Sequence, residues 1–238
     1  MTPPILIPAG NASEWTGPTG NNTWLLPGRH PTLIDAGIGA PAHIDEVTRA
    51  LAGVPLAQVV ITHSHPDHIG GIPALTVRWP SVVIFQGPVP ETENLIRVRA
   101  GDDELLVVPT PGHAPDHLCF FAEHSRDLYC GDMVRRGGTV VIPAGKGGDL
   151  RQYLASLERI RALRPRRLLP GHGPIIENPE ALIDEYIAHR RLRDEQIAAA
   201  IERGALTIEE IVDRVYPGIS ERLRKAAEDT VRAHLEAR

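Results

Sequence analysis

Ten residues, Thr62 to Gly71 (Thr-His-Ser-His-Pro-Asp-His-Ile-Gly-Gly), carry the densest chemistry of the chain. His63, His65, Asp67 and His68 fall within six positions, directly after the apolar run Val59-Val60-Ile61. Strand alternation sends His63 and His65 the same way, and Pro66 ends ladder pairing and turns the chain, so Asp67 and His68 can return to the same space. Neutral imidazole and carboxylate oxygen are the ligands that Zn²⁺ and similar ions take. Crowding four such groups without a common partner would leave polar atoms unpaired. More donors follow, each just after a predicted strand and a turn: His113 in Thr-Pro-Gly-His, Asp132 in Cys-Gly-Asp and His172 in Pro-Gly-His-Gly. Five histidines and two aspartates delivered by four strand ends predict a metal site on the edge of a sheet sandwich.

The elements that must position these residues are legible in outline. Ile5 to Ile7, Thr23 to Leu26, Thr32 to Asp35 and Gln58 to Thr62 read as strands. So do Val82 to Phe85, Leu95 to Val98, a run beginning at Glu104, Leu118 to Ala122, Asp127 to Cys130, Thr139 to Ile142 and Arg167 to Leu169. The long Gly/Asn/Pro/Thr-rich loop from Gly10 to Asn22 is of the kind that borders binding sites. Apolar spacing predicts helices over His43 to Ala52, Ile72 to Arg78, and a helix capped by Asp149. Strands alternating with helices on both sides of the motif fit an αββα layering. Past residue 175 the chain turns helical: Asn178-Pro179 opens a helix reaching Arg203 before Gly204. Thr207 and Glu210 form a capping box for the next helix, and a third runs from Ser220 to Ala237. The expected organisation is a catalytic domain over 1–175 and a helical subdomain over 176–238.

Composition narrows the class. The 238 residues are 42% hydrophobic and 23% charged, an ordinary globular balance, and a net charge of −5 gives no global pull towards nucleic acid. Cys119 and Cys130 fall in predicted strands and read as buried free thiols of a reducing compartment, with a disulfide as the alternative. No signal-length or membrane-spanning run is present, so a cytoplasmic location without membrane association is expected. The apolar positions Ile208, Ile211, Val215, Leu223, Val231 and Leu235 are expected to pack on one another and on the sandwich, a homodimer contact being the alternative.

The segment Thr62 to His68 matches the His-x-His-x-Asp-His motif of the metallo-β-lactamase superfamily at every specified position, and the sequence resembles that superfamily over residues 5 to 175. The resemblance implies a four-layer αββα sandwich with His63, His65 and His113 holding one metal and Asp67, His68 and His172 a second. Asp132 would bridge both, and His117 would be a hydrogen-bonding support for the ligands or a plain structural polar residue. Pro170 to Ile176, the Tyr186-Ile-Ala-His-Arg-Arg stretch and the helices beyond are similar to the lactamase-like protein 2 group, which includes an endoribonuclease acting on single-stranded RNA. That group carries a C-terminal winged-helix-like subdomain; here the wing strands are expected to be missing after the third helix. Flavo-di-iron members usually carry Glu where this chain has His65, and secreted metallo-β-lactamases lack an equivalent of Asp132.

These readings converge on a metallo-hydrolase in which a hydroxide shared by two Zn²⁺ ions (Mn²⁺ or Fe²⁺ as alternatives) attacks an ester-type or phosphodiester bond. Asp67 and Asp132 are the expected catalytic carboxylates, with Asp67 orienting the nucleophile or shuttling a proton. A small ester or phosphodiester is the expected substrate, single-stranded RNA included. Arg161, Arg164, Arg166 and Arg167, then Arg190, Arg191 and Arg193, would supply local positive charge unless they are solvated faces balanced by nearby acids; Lys146 is a further candidate contact. The alternatives are thioester or lactone hydrolysis of the glyoxalase II kind, promiscuous β-lactam hydrolysis, and a metal-binding scaffold without turnover.

Overall fold

The computed structural model describes residues 2–13, 16–89 and 96–238. Two five-stranded sheets face each other. The first orders β1 (Ile5–Pro8), β2 (Asn22–Leu26), β3 (Thr32–Ile34), β4 (Gln58–Val60) and β5 (Val83–Phe85). The second contains β6 (Arg97–Ala100), β7 (Asp103–Pro109), β8 (Leu118–Ala122), β9 (Asp127–Gly131) and β10 (Arg167–Pro170), and runs in reverse sequence order from β10 to β6. Helices α1 (Pro41–Ala50) and α3 (Ile72–Arg78) follow strands of the first sheet, with the single turn α2 (Pro66–Ile69) between them. Helices α4 (Leu150–Ala162) and α5 (Pro179–Glu202) flank β10, and α6 (Ile208–Val215) and α7 (Glu221–Glu236) complete the chain.

Side-chain alternation sorts the apolar residues into layers. On β7, Leu105 and Val107 join the inter-sheet core with Trp24, Val60 and Phe120, whereas Leu106 and Val108 join the core under α4 and α5. On β4, Val60 faces the other sheet while Val59 packs with Val47 of α1 and Leu75 of α3. Strands buried on both faces read as unbroken apolar runs, which is why Leu105 to Val108 carries no polar alternation. The result is the expected αββα sandwich. Cys119 and Cys130 are buried free thiols on neighbouring strands, and burial pushes the Cys119 thiol up to about 12, which keeps it unreactive.

Strand direction sets up the site. β3, β4 and β5 are mutually parallel, and in the second sheet β7 and β9 share a direction with β10. The C-terminal ends of these strands therefore emerge along one edge of each sheet. The two edges are stitched together: Asn22 Nδ2 donates to the carbonyls of Pro170 and Gly173 at 2.9 and 2.8 Å, and Leu118 N–H donates to Thr62 O at 2.7 Å.

The C-terminal helices divide their packing. Ile183, Tyr186 and Ile187 at the start of α5, with Ala233 of α7, join the core beneath the second sheet; Ile197, Ile211, Val212 and Val231 form a separate cluster. The capping box is present, with Thr207 Oγ1 accepting from Glu210 N–H and Glu210 accepting from Thr207 N–H. Asp149 caps α4 by accepting from Gln152 N–H at 2.9 Å. Asn178, by contrast, makes no side-chain cap, so α5 opens on Pro179 alone. The expected strand over Thr139 to Ile142 does not form. Its carbonyls are taken by side chains instead, Val140 O by Arg190 and Val141 O by His113, which removes them from any ladder. Leu95, at the start of another expected strand, lies outside the described residues, and β6 begins at Arg97.

His43 on α1 is buried against Thr23 Oγ1 at 2.8 Å, and burial lowers its pKa to about 4. Its folded pKa lies below the unfolded value, so the neutral ring favours folding above pH 6.5 and that contribution is lost as pH falls from about 6.5 to about 4. Urea unfolding of wild type and His43→Gln at pH 7 and pH 4.5 is expected to show a wild-type loss larger by about 2 kcal/mol. Equal losses in the two proteins would remove His43 from the acid limb.

Candidate metal centre

The end of β4 runs through Ile61 and Thr62 to His63; strand pairing stops two residues earlier than the sequence suggests, and Pro66 starts α2 instead of a simple turn. That turn of helix points Asp67 and His68 back beside His63. The loop after β7 brings His113, the end of β9 brings Asp132, and the end of β10 brings His172. All seven expected donors meet here. They fall into three overlapping groups: His63, His65 and His113; His63, His68 and Asp132; and Asp67, His68 and His172.

Distances between the donor atoms test whether a metal fits. His65 Nδ1 stands 3.0 Å from both His63 Nε2 and His113 Nε2. Asp132 Oδ1 is 3.6 Å from His68 Nε2, and Asp132 Oδ2 is 3.7 Å from His113 Nε2 and 3.3 Å from His172 Nε2. Asp67 Oδ2 is 3.5 Å from His172 Nε2 and 3.7 Å from His68 Nε2. Bonds of about 2.0–2.1 Å in a tetrahedron place ligand atoms about 3.3–3.4 Å apart, the middle of this range. Asp132 Oδ1 is buried and has no hydrogen-bond partner among the described residues. A divalent cation satisfies these atoms; the donor set fits.

The outer nitrogens explain why the inner ones are free. Each of four rings donates its Nδ1–H outward: His63 to Thr62 Oγ1 at 3.0 Å, His68 to Asp35 Oδ2 at 2.8 Å, His113 to Val141 O at 2.8 Å and His172 to Thr16 O at 3.2 Å. These partners fix the tautomer that leaves Nε2 as a lone-pair donor facing the centre. Burial, reinforced by the neighbouring rings, holds His63 well below its ordinary pKa, and burial lowers His65 to about 4. His68 differs: burial would lower it, but the carboxylates of Asp35, Asp132 and Asp67 together raise it to about 9, so a cation ligated by its Nε2 has to displace a proton there. Burial would likewise raise Asp132, yet His68 and His172 hold it well below the usual carboxylate range. Asp132 is held as an anion, the form in which a carboxylate ligates a cation.

Three supports went unread in the sequence. Asp35, just after β3, accepts from Thr62 N–H, Thr62 Oγ1 and His68 Nδ1–H, and it sits at φ 62°. Thr62 passes that anchoring on to His63. Asn21 Nδ2 donates to Asp67 Oδ2 at 3.0 Å. A signal existed for Asp35, because Asp35-Ala36-Gly37 ends the strand next to β4 on the same edge; Asn21 lies in the loop expected to border the site. His117 lies behind the ligands: its Nδ1–H donates to Thr110 Oγ1 at 2.8 Å and its Nε2 accepts the backbone N–H of Asp132 at 3.2 Å. Lys146 is exposed and does not line the cleft.

Gly171 shows how tightly the centre is packed. A Cβ there would lie 2.8 Å from both Asp132 Oδ1 and His68 Cε1. Gly171→Ala is expected to push these donors apart and lower bound metal per chain by half or more, measured by elemental analysis beside an unchanged far-UV circular dichroism spectrum. Full occupancy would show that the neighbouring strand end yields instead.

The centre opens into a cleft of about 650 Å³. His65, Asp67, His113, Asp132 and His172 share it with Val140 and Val141 of the irregular segment and with Ile219, Leu223 and Ala227 from the C-terminal helices. No helix among the described residues is long and apolar enough to cross a membrane.

Comparison with known proteins agrees with this architecture. The Metallo-beta-lactamase superfamily model matches residues 16–84 and 80–172, and the Beta-lactamase associated winged helix domain model matches residues 207–237. The chain is 31% identical over 237 residues to the Beta-lactamase-like protein 2 homolog of Caenorhabditis elegans, covering 91% of this chain and 78% of that protein. It is 31% identical over 225 residues to the Atrochrysone carboxyl ACP thioesterase of Aspergillus chevalieri, covering 87% and 71% respectively. The crystal structure of a metallo-beta-lactamase family protein from Thermus thermophilus superposes with a TM-score of 0.76 at 23% identity, over 98% of this chain and 92% of that one. With two sheets between helical layers, a C-terminal winged-helix match and a convergent His/Asp cluster, the chain belongs to the metallo-beta-lactamase superfamily and is a hydrolase.

Proposed function

We propose that the protein hydrolyses a thioester, or a closely related carboxylic ester, with divalent cations held by His63, His65 and His113 at one position and by Asp67, His68 and His172 at the other, Asp132 serving both. The observation that carries the substrate reading is the cleft: metal donors share one cavity of about 650 Å³ with the apolar residues Val140, Val141, Ile219 and Leu223, the last two from the C-terminal region. The A. chevalieri relative, named as a thioesterase, supports it. Zinc is the first choice of metal for so many imidazoles, with Mn²⁺ and Fe²⁺ as alternatives.

Bound in this site, the cations would supply a water ionisable near neutral pH and polarisation of the attacked carbonyl. The protein's own contribution is orientation and proton handling. Asp67, held by Asn21, takes the proton from the attacking water as the C–O bond forms, and returns it to the thiolate as the C–S bond breaks, giving a carboxylic acid and a thiol. His117 fixes the Asp132 backbone, and Thr16 O, Val141 O and Asp35 keep His172, His113 and His68 aimed.

A phosphodiester reading, single-stranded RNA included, is favoured by one observation: arginines of the C-terminal region line the same cleft. Against it, the first arginine cluster is spent on local partners, Arg161 on Asp184 and Glu158 and Arg167 on Asp127. Purified protein assayed for metal per chain and, in parallel, on S-phenyl thioacetate, a lactone, nitrocefin, bis-p-nitrophenyl phosphate and labelled RNA is expected to hold two metals and turn over the thioester fastest. Phosphodiester cleavage without thioester turnover would replace this reading, and metal binding with no turnover would make the protein a scaffold.

A further inference from the structure

Helix α5 carries an unusual load on the side facing the cleft. Arg190 is buried, 2% exposed, in the middle of a chain segment that also presents His189 and Arg193 to the same cavity as the metal donors. Its contacts are the carbonyl of Val140 and the ring of Tyr153, 5.5 Å from its guanidinium carbon. Arg193 stacks over Tyr216 at 4.3 Å and donates to Gln196 Oε1 at 2.7 Å and Val215 O at 3.2 Å. None of these partners is a carboxylate, and among the described residues no carboxylate pairs with either guanidinium. The Nε atoms of both arginines are buried with no hydrogen-bond partner among the described residues.

Such an arrangement is costly on its own. A buried guanidinium without a counter-ion loses hydration that neutral carbonyls and ring faces only partly replace. The nearest acid along the helix, Asp194, is already engaged by His234 at 3.4 Å and Arg238 at 3.3 Å. The other basic cluster, around Arg161 and Arg167, is neutralised by its own aspartates and glutamate, so the contrast lies within this one chain. Positive potential on the helical side of the cleft is also felt by His189, whose pKa is lowered first by burial and then by the charges of Arg190 and Arg193. Planar guanidinium forks match carboxylate and phosphate oxygens.

We infer that Arg190, Arg193 and His189 form an oxyanion subsite on the helical side of the cleft, which binds a carboxylate or phosphate on the non-reacting part of the substrate. The inference rests on the thioester reading for the bond cleaved, and it makes the substrate an anionic thioester. Two sources share this chemistry: a carboxylate on the acyl group, or a phosphate on the thiol carrier. The apolar residues Val140 and Leu223 would flank the chain linking the anion to the reacting carbonyl.

The test has a binding arm and a kinetic arm. Calorimetric titration of the metal-loaded protein with succinate and with inorganic phosphate is expected to show Kd for at least one anion weakened tenfold or more by Arg193→Met and partly restored in Arg193→Lys. Arg190→Lys, which keeps the charge but alters the fork, guards against a folding defect in a buried position. Kinetically, kcat/KM is compared on acetyl-N-acetylcysteamine, its succinyl counterpart and acetyl-4′-phosphopantetheine. Wild type is expected to favour one charged thioester over the neutral one at least tenfold, and Arg193→Met to erase that ratio. Preference for the succinyl substrate assigns the anion to the acyl side, and preference for the phosphopantetheine substrate assigns it to the thiol. Equal anion affinities in wild type and all variants would overturn the subsite, whatever is hydrolysed. Arg193-dependent anion binding without any thioester turnover would uphold the subsite and remove the thioester reading alone.

Discussion

Asp132→Ala is expected to abolish hydrolysis, lowering kcat/KM by at least about a thousandfold, and to reduce bound metal from two ions per chain to one or none. The carboxylate reaches donors from both halves of the cluster: Oδ1 lies 3.6 Å from His68 Nε2, and Oδ2 lies 3.7 Å from His113 Nε2 and 3.3 Å from His172 Nε2. Its Oδ1 has no hydrogen bond among the described residues, but its buried charge pairs with His68 and His172, so some folding energy goes with it. A thermal melt of chelator-treated wild type and mutant separates that cost from the loss of activity. Unchanged turnover in the mutant would show that the two halves of the cluster work independently. An active mutant holding a single metal would point to a mononuclear hydrolase built on His63, His65 and His113.

Why so much of this centre could be read in the sequence follows from its construction. The ligands cluster at strand ends, and strand ends announce themselves: an apolar run, then Pro or Gly, then a polar residue. Val59 to His68, Val107 to His113, Leu128 to Asp132 and Leu168 to His172 all follow that pattern, and all seven donors converge. What escaped was whatever depends on contacts between distant segments. Asp35 looks like an ordinary turn residue until β3 and β4 are laid side by side. The strand expected over Thr139 to Ile142 has the right apolar pattern, but pattern says nothing about which groups claim the carbonyls, and here Arg190 and His113 do. The arginine clusters were similarly undecidable in one dimension. Arg161 and Arg167 find acids across the fold, whereas Arg190 is carried inward and finds none among the described residues.

The second large effect is expected at Asp35, a residue that touches no metal donor atom yet governs two of the rings. Its carboxylate accepts three hydrogen bonds at once, from Thr62 N–H at 2.8 Å, Thr62 Oγ1–H at 3.0 Å and His68 Nδ1–H at 2.8 Å. Asn in its place offers one acceptor oxygen and two donor hydrogens, so at least one of the three donors must face another donor. Asn also tolerates the φ of 62° that Asp35 adopts, whereas Ala would be strained there. Asp35→Asn therefore alters the hydrogen-bond chemistry with the backbone kept. With the Asp35 charge gone, His68 loses its largest source of upward shift, and its Nδ1–H no longer has a carboxylate to hold the ring. Partners of this kind are worth about 10- to 100-fold in metal affinity. A competition titration against a chromophoric chelator is expected to show a loss in that range for the metal held by His68, with turnover falling in step. Excess metal should then recover a large share of activity in Asp35→Asn and none in Asp132→Ala, because the first loses orientation and the second loses a ligand. A melting temperature lowered in Asp35→Asn with metal affinity unchanged would instead make Asp35 a purely structural tie between β3 and β4.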